Sequence, residues 1–153
     1  MTEVLFYHLQ TRTLEQALPE LLQKCVERGW KTVVQTGSIE RRDALDAHLW
    51  TFSEESFLPH GTSRDADPGE LAILLTADPA EPGPVDPPFT VRFLVDRAVA
   101  PDLAGLTRAV FVFDGNDDEA VIEARANWKT VKAAGHDATY WVQDERGRWV
   151  KRA

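Results

Sequence analysis

The chain has 153 residues, 43% of them hydrophobic and 27% charged, which suits one globular domain with a real core and excludes a disordered or fibrous chain. A single cysteine, Cys25, excludes an internal disulfide and a paired-thiolate zinc site. The net charge of −8 argues against a surface built to grip naked nucleic acid.

No stretch approaches the roughly 20 apolar residues of a membrane span. The opening MTEVLFYHLQ carries an acid and a histidine where a secretion signal needs a basic start and a longer apolar run. A reduced cytoplasm is the expected location.

In chain order, VLFYHL (4–9) predicts a buried strand. Thr13 then caps a helix in which Leu14, Leu18, Leu21, Leu22 and Cys25 recur at helical spacing up to Gly29, with Pro19 as an expected kink or late start. KTVVQT (31–36) is a second strand, and Gly37-Ser38 opens a second helix over 39–50. LAILLT (71–76) is a third strand. Five prolines in 77–88 then demand an extended loop. FTVRFLV (89–95) and AVFVF (109–113) are two more β-rich runs, with 99–106 too broken for more than a turn of helix. A helix over 117–134 is closed by Gly135, and TYWVQ and RWVKR flank a polar turn as a hairpin. Strands separated by helices predict a single three-layer α/β/α domain spanning 1–153, with a mostly parallel sheet and the hairpin at one edge.

Charge is divided unevenly along this chain. Residues 1–124 carry a balance of −12, whereas 125–153 hold Arg125, Lys129, Lys132, Arg146, Arg148, Lys151 and Arg152 against three acids. An acidic body with a basic end fits a small acidic ligand better than a duplex.

An α/β sheet raises the question of a nucleotide, but neither phosphate-binding glycine motif is present, and the loop after the first strand is QTRT. His8, His48, His60 and His136 are scattered without metal spacing, and no cofactor is implied. Cys25 falls on the apolar stripe of its helix and reads as core. The acids from Asp114 to Glu119 follow a strand end, where they either cap the next helix and answer its dipole or hold a divalent ion. That second option is the basis of an alternative reading, a small-molecule or metal-dependent enzyme.

The helix over 117–134 carries more chemistry. Steps of about 100° put Ala120, Ala124 and Val131 on one face, Trp128 at its border, and Arg125, Lys129 and Lys132 on the flank beside it. An indole edge among cations can hold an apolar residue with a carboxylate next to it. A second unusual stretch is LWTFSEESFLPHG (49–61). There Trp50, Phe52, Phe57 and Leu58 occupy a segment too acidic and proline-broken for a core strand, and read as a loop that caps the core or meets a partner.

FYHL at the start, LDAHLWTFSEESFLPHG in the middle and EARANWKTVKAAGH near the end resemble the chi subunit of bacterial DNA polymerase III over nearly the whole chain. The resemblance implies an α/β subunit of the clamp-loader assembly without catalysis of its own. It also implies two partners: the acidic C-terminal tail of single-stranded-DNA-binding protein, and the psi subunit or another clamp-loader subunit. Carried onto this chain, the tail pocket falls on Arg125, Trp128, Lys129, Lys132 and Gly135, and the subunit interface on Trp50, Phe57, Pro59 and His60. The family pattern has tyrosine at Trp128, arginine at Lys132 and lysine at Val121, so one cation is missing here.

Overall fold

The computed structural model describes residues 2–51, 60–62 and 71–153. Within them the chain runs β1 (Glu3–Leu9), α1 (Leu14–Glu27), β2 (Thr32–Gln35), α2 (Ile39–Thr51), β3 (His60–Thr62) and β4 (Ile73–Thr76). It continues with β5 (Val91–Leu94), β6 (Arg108–Asp114), α3 (Asp118–Ala133), β7 (Asp137–Gln143) and β8 (Trp149–Lys151). The strands form one sheet in the order β3-β4-β2-β5-β6-β1-β7-β8. Every neighbouring pair is parallel except the β7–β8 hairpin at the edge. This is the expected α/β domain.

Alternation along the strands divides the core into two. Leu5, Leu9, Val110 and Val112 point to one face and pack with Leu18, Leu22, Cys25, Leu45 and Leu49 of α1 and α2. Val4, Phe6, Phe111 and Phe113 point to the other and pack with Ala120, Ala124 and Val131 of α3. Cys25 is buried and reduced, as its place on the apolar stripe required.

Pro19 does not break α1, which runs on through it from a capping box between Thr13 and Gln16. A proline removes the amide that would bond the carbonyl four residues back, here that of Glu15. His48 of α2 takes its place, donating from Nε2 to the Glu15 carbonyl at 2.6 Å. The proline is thereby tolerated because the neighbouring helix supplies the missing donor.

Strand β3 has no counterpart in the sequence-based elements. His60, Gly61 and Thr62 show no apolar run, yet all three are buried and pair with β4. The proline-rich segment after β4 has no helix or strand, as expected. It is tied down by buried Arg92, which donates to Gln35 Oε1 and to the carbonyls of Asp78, Pro79 and Glu81.

His48→Ala leaves the Glu15 carbonyl without its donor and costs about 1 kcal/mol of stability. On a Pro19→Ala background the new amide reaches that carbonyl, so the cost of His48→Ala shrinks. Denaturant melts of the four proteins in a double-mutant cycle measure the difference, and equal costs on both backgrounds would rule the interaction out.

Candidate peptide-binding site

Helix α3 owes its limits to its two caps. Asp117 caps the start by accepting the amides of Glu119 and Ala120. At the other end Gly135 adopts φ 82°, its amide reaching the Lys132 carbonyl while the His136 amide reaches that of Val131. That pair of bonds is a Schellman stop and needs the left-handed residue. Gly135 therefore fixes where the flank ends.

Between the caps, Trp128 is half-buried at the border of the apolar face. Its ring meets Phe6 edge-on at 5.3 Å and Tyr140 at 6.0 Å, while Phe6 stacks on Phe111 at 4.7 Å. The indole is thus held from two sides and keeps one open edge. Val121, one turn back from Arg125, packs against the core on the α3 side of the sheet, so position 121 lends apolar surface where the family pattern has a charge.

Arg125, Lys129 and Lys132 are exposed on the flank, with the Lys132 ammonium 5.7 Å from the Trp128 ring centre. None of the three forms an ion pair with a carboxylate among the described residues. Two acids of the same helix behave differently: Glu119 and Glu123 both engage Arg97. Helix α3 therefore presents one neutralised side and one side of unpaired positive charge.

Two residues that the sequence reasoning missed sit behind this flank. His8 and Tyr140 lie on adjacent strands and share the α3 face with Phe6, and His8 Nδ1 is 2.7 Å from the Tyr140 hydroxyl. His8 Nε2 is buried without a hydrogen-bond partner among the described residues. It lies against Gly115, where an added Cβ would fall on the imidazole. An orphaned acceptor is tolerated better than an orphaned N–H. That favours the tautomer in which Nδ1–H donates to Tyr140 and the tyrosine O–H stays free for a ligand. Burial pushes His8 below the usual histidine pKa, with Asp114 opposing and Arg125 reinforcing the shift. Burial likewise raises Tyr140, with Arg125 working against it. The alternation FYH in β1 with TYW in β7 was the signal that could have found this pair.

The second patch is only partly within the described residues. Trp50 lies on the last turn of α2, within the helix expected over 39–50 and at the start of the stretch read as a loop. It is 56% exposed, which is unusual for tryptophan. Its ring lies 4.7 Å from that of His60, which is buried in β3 and bonded to the Asp46 carbonyl. His60 thus supports the indole from the protein side. Phe57 and Pro59, like Phe52 and Leu58, lie outside the described residues.

A cavity of about 570 Å³ opens where β1 and β6 end, between α1 on one face and α3 on the other. In open α/β sheets that is where ligands bind. Here its polar groups are already engaged. The amides of Gln10, Thr11 and Arg12, which would face a phosphate, all donate to Gln143 Oε1 at 3.0–3.3 Å. Arg41 holds Glu15 and Asp96. Of the Asp114–Glu119 acids, Asp114 accepts the Asn116 amide, Asp117 caps α3 and Glu119 pairs with Arg97. Among the described residues, no group of three or more His, Cys, Asp or Glu is arranged to hold a metal ion.

Fold and side-chain placement together define an α/β domain whose unpaired chemistry lies on a helix flank instead of in the strand-end cleft. The family model for the DNA polymerase III chi subunit, HolC, matches residues 1–139, and the chain belongs to that family. It is also similar to the probable DNA polymerase III subunit chi of Rickettsia prowazekii (strain Madrid E), at 29% identity over 82 residues. That match covers 54% of this chain and 50% of the relative, so the chain spans about half the length of the curated relative it matches. The family places the chain among accessory subunits of DNA polymerase III, in DNA replication. No helix among the described residues is long and apolar enough to cross a membrane.

Because His8 is depressed below its ordinary value of 6.5, the unfolded chain takes up the proton first. The stability that neutral His8 contributes is intact above that value and is lost as the pH falls through the lower, folded midpoint. Arg125→Ala removes one of the groups holding His8 down. The His8 midpoint, followed by NMR of the ring protons, should rise in that variant; an unchanged midpoint would place the guanidinium away from the ring.

Proposed function

We propose that this chain is a binding subunit that performs no chemistry of its own and links the DNA polymerase III clamp-loader assembly to single-stranded-DNA-binding protein in the cytoplasm. The α3 flank receives the acidic C-terminal tail of that protein. The single observation that carries the reading is three unpaired cations, Arg125, Lys129 and Lys132, ranged beside the open edge of half-buried Trp128. The tail's terminal apolar side chain packs on the indole. Its carboxylate pairs with Arg125 and the free Tyr140 hydroxyl, and its acids run along the two lysines.

The energetics fit a modest complex. Each exposed pair contributes about 0.2–1 kcal/mol, and burial of the terminal side chain about 1.5–3 kcal/mol. Set against the cost of association, these give roughly micromolar affinity that weakens with salt. Direct binding to naked single strands is weak, because the net charge of −8 leaves only one basic region. The exposed indole of Trp50 supports a second surface, with Phe57 and Pro59 nearby in sequence and His60 as its support. It faces the psi subunit or another clamp-loader subunit.

Titrating a peptide that ends in several aspartates and an aromatic residue into wild type and Arg125→Ala tests the first surface. Affinity should fall about fivefold in the variant, the upper end for one exposed pair, since a lysine next to it cannot replace a bidentate guanidinium. Equal affinity would put the tail elsewhere.

Trp50→Ala should leave the melting temperature nearly unchanged, as substitutions at exposed sites do, while removing the clamp-loader partner from pull-downs. A collapse in melting temperature would instead make Trp50 part of the core.

A further inference from the structure

The α3 flank uses only half of the basic C-terminal region. Arg146, Arg148, Lys151 and Arg152 lie beyond it, on the β7–β8 hairpin, and the register sorts them. Trp141 is opposite Lys151 and Val142 opposite Val150. The Arg152 amide donates to the Tyr140 carbonyl at 2.7 Å, and the Tyr140 amide donates to the Ala153 carbonyl at 3.1 Å. Arg152 and Val150 therefore share the face of Tyr140 and Val142, whereas Lys151 lies on the opposite face with Trp141 and Trp149, next to Tyr7.

On the first of these faces α3 packs against β6, β7 and β1, and the hairpin's outer part stays open, with Val150 37% exposed. Arg148 is paired with Asp144 at 3.2 Å. Arg152 is exposed and forms no ion pair among the described residues. The open hairpin face thus begins at Tyr140, the ring that also touches Trp128, and ends at an unpaired guanidinium.

We propose that this open face is the second half of the peptide site. Val142 and Val150 form its floor and Arg152 its rim, and it takes the acidic residues of the tail that lie upstream of those held by Lys129 and Lys132. The proposal rests on the tail reading of the α3 flank and extends it. Charge complementarity carries it: an acidic segment leaving Trp128 across Tyr140 meets no carboxylate on β8 and one free cation. Strand and layer spacings make the path from Trp128 to Arg152 roughly three extended residues long.

Two peptides decide the question: a short one ending in two aspartates and an aromatic residue, whose acids the two lysines hold, and the same peptide with three further aspartates in front. For wild type, the added aspartates should tighten binding about threefold or more at low salt. Arg152→Glu should abolish that gain and leave the short peptide's affinity unchanged. Lys151→Glu makes the same change in net charge on the opposite face and should keep most of the gain. Equal losses in the two variants, or a gain that survives in Arg152→Glu, overturn the hairpin path while leaving the α3 site in place. A short peptide that fails to bind wild type overturns the tail reading, and the hairpin path with it.

Discussion

The packing of Phe6 is the contact on which both core and site depend. β1 lies inside the sheet between β6 and β7, so its side chains are fully committed to one face or the other. Phe6 is completely buried, stacked on Phe111 across one neighbour and set edge-on to Trp128 of α3. Removing such a ring costs about 3–5 kcal/mol in most cores. Here it would also release the indole, because Phe6 and Tyr140 are what hold Trp128 at the helix border. The rigidity of the flank is thus inherited from the core. A binding edge supported in this way loses little conformational entropy when a ligand arrives.

Much of the architecture was legible in the sequence because its signals are local. Short apolar runs separated by helical periodicity gave the parallel sheet, Thr13 and the acids from Asp114 to Glu119 marked helix starts, and Gly135 marked a stop. Strand β3 was not legible. His60-Gly61-Thr62 carries no hydrophobic pattern, and its burial comes from pairing with β4 and from the Asp46 carbonyl in α2, contacts that only the folded chain creates. Trp50 sits where two readings meet. It closes the helix expected over 39–50 and opens the acidic stretch read as a loop, and in the folded chain it belongs to α2. Pro19 shows the same limit from the other side: it implied a kink or a late start, but α1 begins at Leu14 and His48, far along the chain, supplies the donor that the proline lacks.

The candidate site divides in the same way. Helical spacing alone assembled Arg125, Trp128, Lys129 and Lys132, because i, i+3, i+4 and i+7 neighbours on one helix need no tertiary information. His8 and Tyr140 required the register of two strands from opposite ends of the chain. The missing lysine at position 121 also changes meaning once Val121 is seen packing on the α3-side core. The position has exchanged a charge for apolar surface that joins that core.

Doubly wound sheets offer a ligand cleft wherever neighbouring crossovers leave the strand ends in opposite directions, and this chain has one between β1 and β6. What fills that role elsewhere is a row of free loop amides. Here Gln143, arriving from β7, takes three of them with a single oxygen, and its own Nε2 is left buried without a partner among the described residues. The guanidiniums lining the cleft are consumed by carboxylates in the same way, Arg41 by Glu15 and Asp96, Arg97 by Glu119 and Glu123. The positive flank of α3 has a separate and local cause. Residues three and four apart are the neighbours on a helix surface, and no position three or four residues from Arg125, Lys129 or Lys132 holds an acid. Glu119 and Glu123 fall on the side that faces Arg97. Spacing along one helix thus sends its glutamates to the cleft, where they are paired, and its cations to the flank, where they are not.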